Sequence, residues 1–158
     1  MTRGVFGLLL LAFLMRLLFF TGLRGSDDLR YLSLAQGVSV SESAGDFAAS
    51  RAAFIGGVRG GLGLGGPGEA GIMLYPMACS IALVLLLFWM GRTWISPATG
   101  WAAGLLAACL PGFVLAGSSL YPDVPAALWA TGSLALLWSA PSWGVRRLPA
   151  TVASGAAF

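Results

Sequence analysis

The sequence predicts an all-α, polytopic membrane protein with about four transmembrane helices, and three observations predict it. First, 58% of its 158 residues are hydrophobic, only 9% are charged, and the mean hydropathy is +0.86; soluble domains carry about a quarter charged residues. Second, no charged side chain falls between Glu69 and Arg92, between Arg92 and Asp123, or between Asp123 and Arg146. Each gap holds the roughly 20 apolar residues a helix needs to cross about 30 Å of hydrocarbon. Third, threading the chain through a bilayer in this way puts all six carboxylates on one side.

The first predicted span covers residues 5–23, preceded by Arg3 and followed by Arg24. It lacks the small-residue cleavage pattern of a signal peptide, and three further spans follow it. Arg16 interrupts this run; it either snorkels to the nearer interface or faces the protein interior, with snorkelling the expected outcome. Residues 24–70 are too polar to span and form an outer loop with five of the six acids. Within it, 28–36 and 46–58 have helix-compatible patterns whose apolar residues can lie against headgroups or protein. Gly60 to Gly68 reads as a flexible turn around Leu62-Gly63-Leu64-Gly65-Gly66-Pro67-Gly68.

The remaining spans are predicted over 71–90, 97–119 and 122–140, joined by short connections that make antiparallel neighbours. Gly100 and Gly104 form a small-xxx-small pair, and Pro111 can kink the third span where a neighbouring helix satisfies the freed carbonyl. Residues 148–158 read as the start of a fifth span, so the chain is expected to be a portion of a longer protein. Because arginine is retained on the cytoplasmic side, the amino terminus is placed inside with Arg3, Arg92, Arg146 and Arg147. Asp27, Asp28, Glu42, Asp46, Glu69 and Asp123 then lie outside the cytoplasm. The expected location is a bacterial inner membrane.

All nine basic residues are arginine and there is no histidine, which rules out a histidine metal site or a histidine-containing triad within this chain. The charge of +3 is scattered, so nucleic acid is not an expected partner; membrane lipids are. Cys79 and Cys109 sit in apolar runs and read as small hydrophobes. Gly61-x-Gly63-x-x-Gly66 matches a dinucleotide fingerprint by chance, since no strand precedes it and Leu86 stands where an acid is needed. Trp94, Trp101 and Trp143 fit an interfacial belt better than a sugar-stacking role.

The stretch Ser26-Asp27-Asp28-Leu29-Arg30-Tyr31 lies immediately outside the first span. Two readings stand. Ser26 is a good N-cap, and acids in a first helical turn gain a few tenths to about 1 kcal/mol from the helix dipole. Equally, a carboxylate held at a helix N-terminus stays ionised and can take a proton from a hydroxyl or amine. Asp123, between Pro122 and Pro125, is likewise an ordinary helix start when taken alone.

Taken in order, these motifs resemble the amino-terminal part of GT-C glycosyltransferases. They are Asp27, Asp28, Arg30, Tyr31 and Ala35; Arg51 and Arg59; Tyr75, Pro76 and Ser80; then Pro111, Ser119, Pro122 and Asp123. The likeness is nearest to family 39, which includes protein O-mannosyltransferases and the aminoarabinose transferase of lipid A modification, and it covers Leu8 to about Leu137. One departure is that the second acid of the pair is Asp where many relatives have Glu.

The resemblance implies an inverting transfer of a sugar from a polyprenyl-phosphate donor to a lipid, glycan or protein acceptor outside the cytoplasm. It makes Asp27 the general base and gives Asp123 the orientation of the acceptor or a share of that role. Asp28 would position Asp27 or the acceptor, Tyr31 belongs to the same substrate-binding motif, and Arg30, Arg51 or Arg59 would meet the phosphate. No certain cofactor is implied; carboxylates beside a phosphate can hold Mg²⁺ or Mn²⁺, but two acids are not a clear ligand set. Because the carboxyl-terminal spans of such enzymes complete the site, this portion alone is expected to be inactive. The alternatives are a transporter subunit, which would more often show repeats and midplane ionisable residues, and a non-catalytic membrane scaffold.

Overall fold

The computed structural model describes residues 2–20, 22–23, 25–37 and 51–139, with the side chains of Thr2, Ser26 and Asp27 outside that description. Glu42, Asp46, Trp143, Arg146, Arg147 and the predicted fifth span at 148–158 lie outside the described residues. Among the described residues the chain is all-helical. The seven helices among the described residues are α1 (Thr2–Leu18), α2 (Ser26–Ala35), α3 (Ala52–Gly65), α4 (Glu69–Trp94), α5 (Pro97–Cys109), α6 (Pro111–Gly117) and α7 (Asp123–Ser139).

By length and composition, α4 is the one described helix that can cross a membrane alone, and α5 with α6 makes a second if this bent pair counts as one span. Helices α1 and α7 have 17 residues each and rise only about 25 Å, short of the hydrocarbon thickness. The first predicted span reached Leu23, but the helix stops at Leu18. Phe20 and Leu23 instead pack against the cluster built by Tyr31, Phe54, Ile72 and Leu120.

Helix α4 is the central element. Two apolar clusters, one towards each of its ends, fix the direction of its neighbours. Leu8 and Ala12 of α1 meet Val84 and Phe88 of α4 and Ala107 and Ala108 of α5, while Trp101 lies edge-on to Phe88 at 4.9 Å. Helix α5 approaches α4 through glycine: a Cβ on Gly100 would stand 2.7 Å from the Phe88 carbonyl oxygen, and one on Gly104 would stand 2.8 Å from Leu8. The expected small-residue pair is thus a real crossing, in which bare glycine lets the two backbones approach closely enough for dispersion to act. Helix α7 runs alongside α4 in the same direction, since Trp129 meets Tyr75 near their starts and Trp138 lies 5.8 Å from Trp94 near their ends.

The glycine-rich stretch differs from the flexible turn expected at Gly60 to Gly68. It is helical through Gly65, and the turn is confined to residues 66–68. Gly57, Gly61 and Gly65 recur every four residues and therefore share one face. That face lies on the start of α4, where a Cβ on Gly65 would come within 2.8 Å of the Gly71 Cα. Close packing outweighs the roughly 1 kcal/mol that each helical glycine costs. Gly66 ends the helix in the left-handed region, φ +83°, a conformation in which glycine carries no Cβ penalty.

The third predicted span is broken rather than gently kinked: α5 and α6 meet at 59° around Leu110. Pro111 has no N–H to give to the Ala107 carbonyl, and the bend carries the Gly112 N–H away from that of Ala108. Arg16 fills the gap. Its side chain is fully buried, and its Nη2 and Nη1 donate to the Ala107 and Ala108 carbonyls at 3.4 and 3.3 Å. Nη1 also donates to the Ala12 carbonyl at 2.9 Å, and Nε to Ser80 Oγ at 2.6 Å. In return Ser118 Oγ donates to the Arg16 carbonyl at 3.1 Å. Snorkelling, the expected fate of Arg16, is overturned. The carbonyls freed by the proline supply acceptors inside the bundle, and a guanidinium has enough donors to use them all.

Candidate functional site

The described acids other than Asp27 gather at one end of the bundle. Glu69 begins α4, Asp123 begins α7, and Asp28 lies in the first turn of α2. Arg3 and Arg92 belong to the other end, where Gly4 faces Trp101 and the Arg92 guanidinium lies 6.0 Å from the Phe88 ring centroid.

At the acidic end, a cleft of about 480 Å³ opens between α3, the start of α4 and the start of α7. Its polar and aromatic lining is Arg51, Phe54, Tyr75, Asp123 and Trp129. Each is placed by the local fold. Arg51 is the N-cap residue of α3, and its guanidinium also lies over the Tyr31 ring at 5.8 Å, a distance at which a cation gains from the ring's negative face. Tyr31 is itself buried and packs edge-on to Phe54 at 5.0 Å. Phe54 then contacts the Tyr75 ring at 6.1 Å, and the Trp129 indole N–H donates to Tyr75 Oη at 3.2 Å. An aromatic chain therefore leads from α2 to α7 through the wall of the cleft.

Asp123 is exposed and is the first helical residue of α7, because the Ala126 N–H donates to the Pro122 carbonyl at 2.8 Å. Pro125, in the same first turn, removes an N–H that would have had no intrahelical partner. The carboxylate thus shares the cleft with Arg51 and stands at the positive end of the helix dipole.

The other predicted site residues have distinct placements. Asp27 lies in the first turn of α2, but its side chain is outside the described residues. Gly25, not Ser26, is the N-cap of α2; Ser26 is already helical. The buried Asp28 carboxylate reaches back to accept the Gly25 N–H at 3.3 Å, half of a capping box, and so fixes the turn that carries Asp27. Arg30 is half-buried, and its carbonyl accepts from Ser33 Oγ. Arg59 caps the far end of α2, donating from Nε to the Ala35 carbonyl at 3.1 Å and from Nη2 to that of Leu34 at 3.2 Å. Of the three arginines offered for a phosphate, Arg51 lines the cleft and Arg59 is committed to helix carbonyls.

Sequence reasoning missed Trp129 and the part of Tyr75 beyond its motif. A tryptophan six positions after Asp123, about one and a half helical turns, was the available signal. Among the described residues no three Cys, Asp or Glu side chains converge on a point that could hold a metal ion. The cleft pairs one carboxylate with a guanidinium, which does not fit the all-oxygen shell of a divalent cation.

No family model, no curated protein and no solved structure matches the chain.

Proposed function

We propose that the protein is a polytopic membrane glycosyltransferase of the GT-C kind, with its amino terminus in the cytoplasm and its site at the acidic end of the bundle. The observation that carries this reading is the cleft shared by Arg51, Tyr75 and Asp123, two of which are predicted site residues contributed by helices far apart in sequence. In the proposed reaction the Asp27 carboxylate takes the proton from an acceptor hydroxyl. The acceptor oxygen attacks the anomeric carbon from the face opposite the phosphate. The bond from that carbon to the phosphate oxygen breaks, and the lipid phosphate leaves with the electron pair. Arg51 offsets the charge of the leaving phosphate, and Asp123 orients the acceptor.

Asp28 and Arg59 hold α2 in place, one at each end, and so position Asp27. Buried Arg16 is the feature that would favour a transporter, since intramembrane charges mark ion paths. Its bonds to Ser80 and to three carbonyls make it a structural part of the bend instead.

The test follows sugar transfer from a polyprenyl-phosphate donor in membranes carrying the full reading frame, comparing the natural sequence with Asp27→Asn and Asp123→Asn. Transfer should fall at least a hundredfold for Asp27→Asn, in line with the loss of a general base, with membrane insertion unchanged. Normal transfer by both variants would reduce the two aspartates to helix-start residues and leave the scaffold reading in place.

A further inference from the structure

The cleft contains a group that the acid and arginine chemistry does not use. Trp129 is 48% exposed and lines the opening with Asp123 and Arg51. Its ring is held on one edge by the hydrogen bond from its N–H to Tyr75 Oη, and Tyr75 is braced by Phe54. The indole so held is part of the cleft lining, and indole rings have electron-rich faces. Its only ring donor is already engaged, so it does not compete for a ligand's hydroxyls.

A pyranose suits those surroundings. One side of such a ring carries slightly positive C–H groups that lie well on a negative aromatic face, while its hydroxyls point outward to acceptors such as the Asp123 carboxylate. A cleft of about 480 Å³ is in the range of small-ligand sites. Arg51, in the same lining, can pair with a phosphate on the sugar.

We propose that Trp129, oriented by Tyr75, is the platform on which the pyranose of a sugar phosphate stacks, with Asp123 facing its hydroxyls and Arg51 its phosphate. This rests on the transferase reading and deepens it by naming the ligand as a pyranose 1-phosphate unit. It also makes Trp129 a binding residue rather than one more interfacial tryptophan.

The test uses the whole chain in phosphatidylcholine nanodiscs and measures binding of mannose 1-phosphate and, separately, inorganic phosphate by titration calorimetry. The natural sequence should bind the sugar phosphate about tenfold more tightly than phosphate, the increment expected of one good aromatic contact. Trp129→Ala should remove that increment and leave phosphate binding unchanged, which also shows that the variant is folded. Trp129→Phe should retain part of it, and Arg51→Gln should weaken both ligands together. If the increment survives Trp129→Ala, the platform is wrong while the transferase reading stands. If the natural sequence makes no distinction between sugar phosphate and phosphate, the platform fails, and the transfer assay on the full reading frame decides the transferase reading separately.

Discussion

Removing the Arg16 guanidinium is the most discriminating perturbation the fold offers. Arg16→Met keeps an unbranched side chain of similar length but withdraws the donors to Ser80 and to the Ala107 and Ala108 carbonyls. Those two carbonyls have no backbone donor of their own, because Pro111 has no N–H and α5 ends in the bend. Leaving a buried carbonyl unpaired costs about 1–3 kcal/mol, although hydrogen bonds within membrane helices average nearer 0.6 kcal/mol. Against this, the variant no longer buries a charge, which is itself expensive. The single substitution therefore mixes terms of opposite sign.

The cycle with Pro111→Ala separates them. Alanine restores an N–H at position 111 and allows α5 to continue, so in the Arg16→Met background the orphaned carbonyls regain main-chain partners. With Arg16 present the same carbonyls are already satisfied, and Pro111→Ala gains nothing. Two carbonyls at about 1 kcal/mol each predict a coupling of about 2 kcal/mol. Reversible unfolding of the chain in mixed micelles, followed by circular dichroism, measures all four corners of the cycle. Effects that add within about 0.5 kcal/mol would refute the idea that Arg16 acts as the donor set for the proline break. Arg16→Lys should behave like Arg16→Met in this cycle, because a single ammonium cannot reproduce a planar fork that spans Ser80 and two carbonyls.

Other substitutions address the remaining elements. Gly61→Val inserts bulk where a Cβ already meets the Gly71 carbonyl at 2.5 Å; it should destabilise the α3–α4 hairpin by about 1–3 kcal/mol, read as earlier proteolysis between residues 51 and 68. Gly63→Ala, on a face with nothing within 4 Å, should instead be neutral or mildly stabilising in the same assay. Phe54→Ala removes the ring between Tyr31 and Tyr75 and should cost about 3–5 kcal/mol in the unfolding midpoint measurement. Arg59→Ala uncovers the last carbonyls of α2 and should cost about 1 kcal/mol, seen as faster amide exchange over residues 31–36 with α4 unaffected.

Much of this architecture was legible in the order of residues. Charge-free intervals bounded α4 and α7 to within a few positions, and the glycine pair at 100 and 104 announced a close crossing. In each case the signal was local, carried by the length of an uncharged run or by small residues four positions apart on one helix face. The resemblance to GT-C glycosyltransferases, not any local signal, marked Asp123 and Arg51 as candidates, and both line the cleft at the acidic end.

What the sequence determined by itself, among the described residues, is helical structure and, to within a few positions, where α4, α5 and α7 begin. Only the tertiary structure decided which neighbour satisfies each exception. Arg16 turned inward because the carbonyls freed by Pro111, 91 and 92 residues away along the chain, offered acceptors that no local pattern reveals. The glycines of α3 formed a helix rather than a turn because α4 lies close enough to reward bare backbone. Arg59 closed α2 instead of facing the cleft because the chain brings α3 back beside it. Trp129 came to stand by Asp123 and Arg51 because α7 runs alongside α4 in the same direction. These outcomes depend on contacts between distant segments, whose free energy enters only once the helices pack.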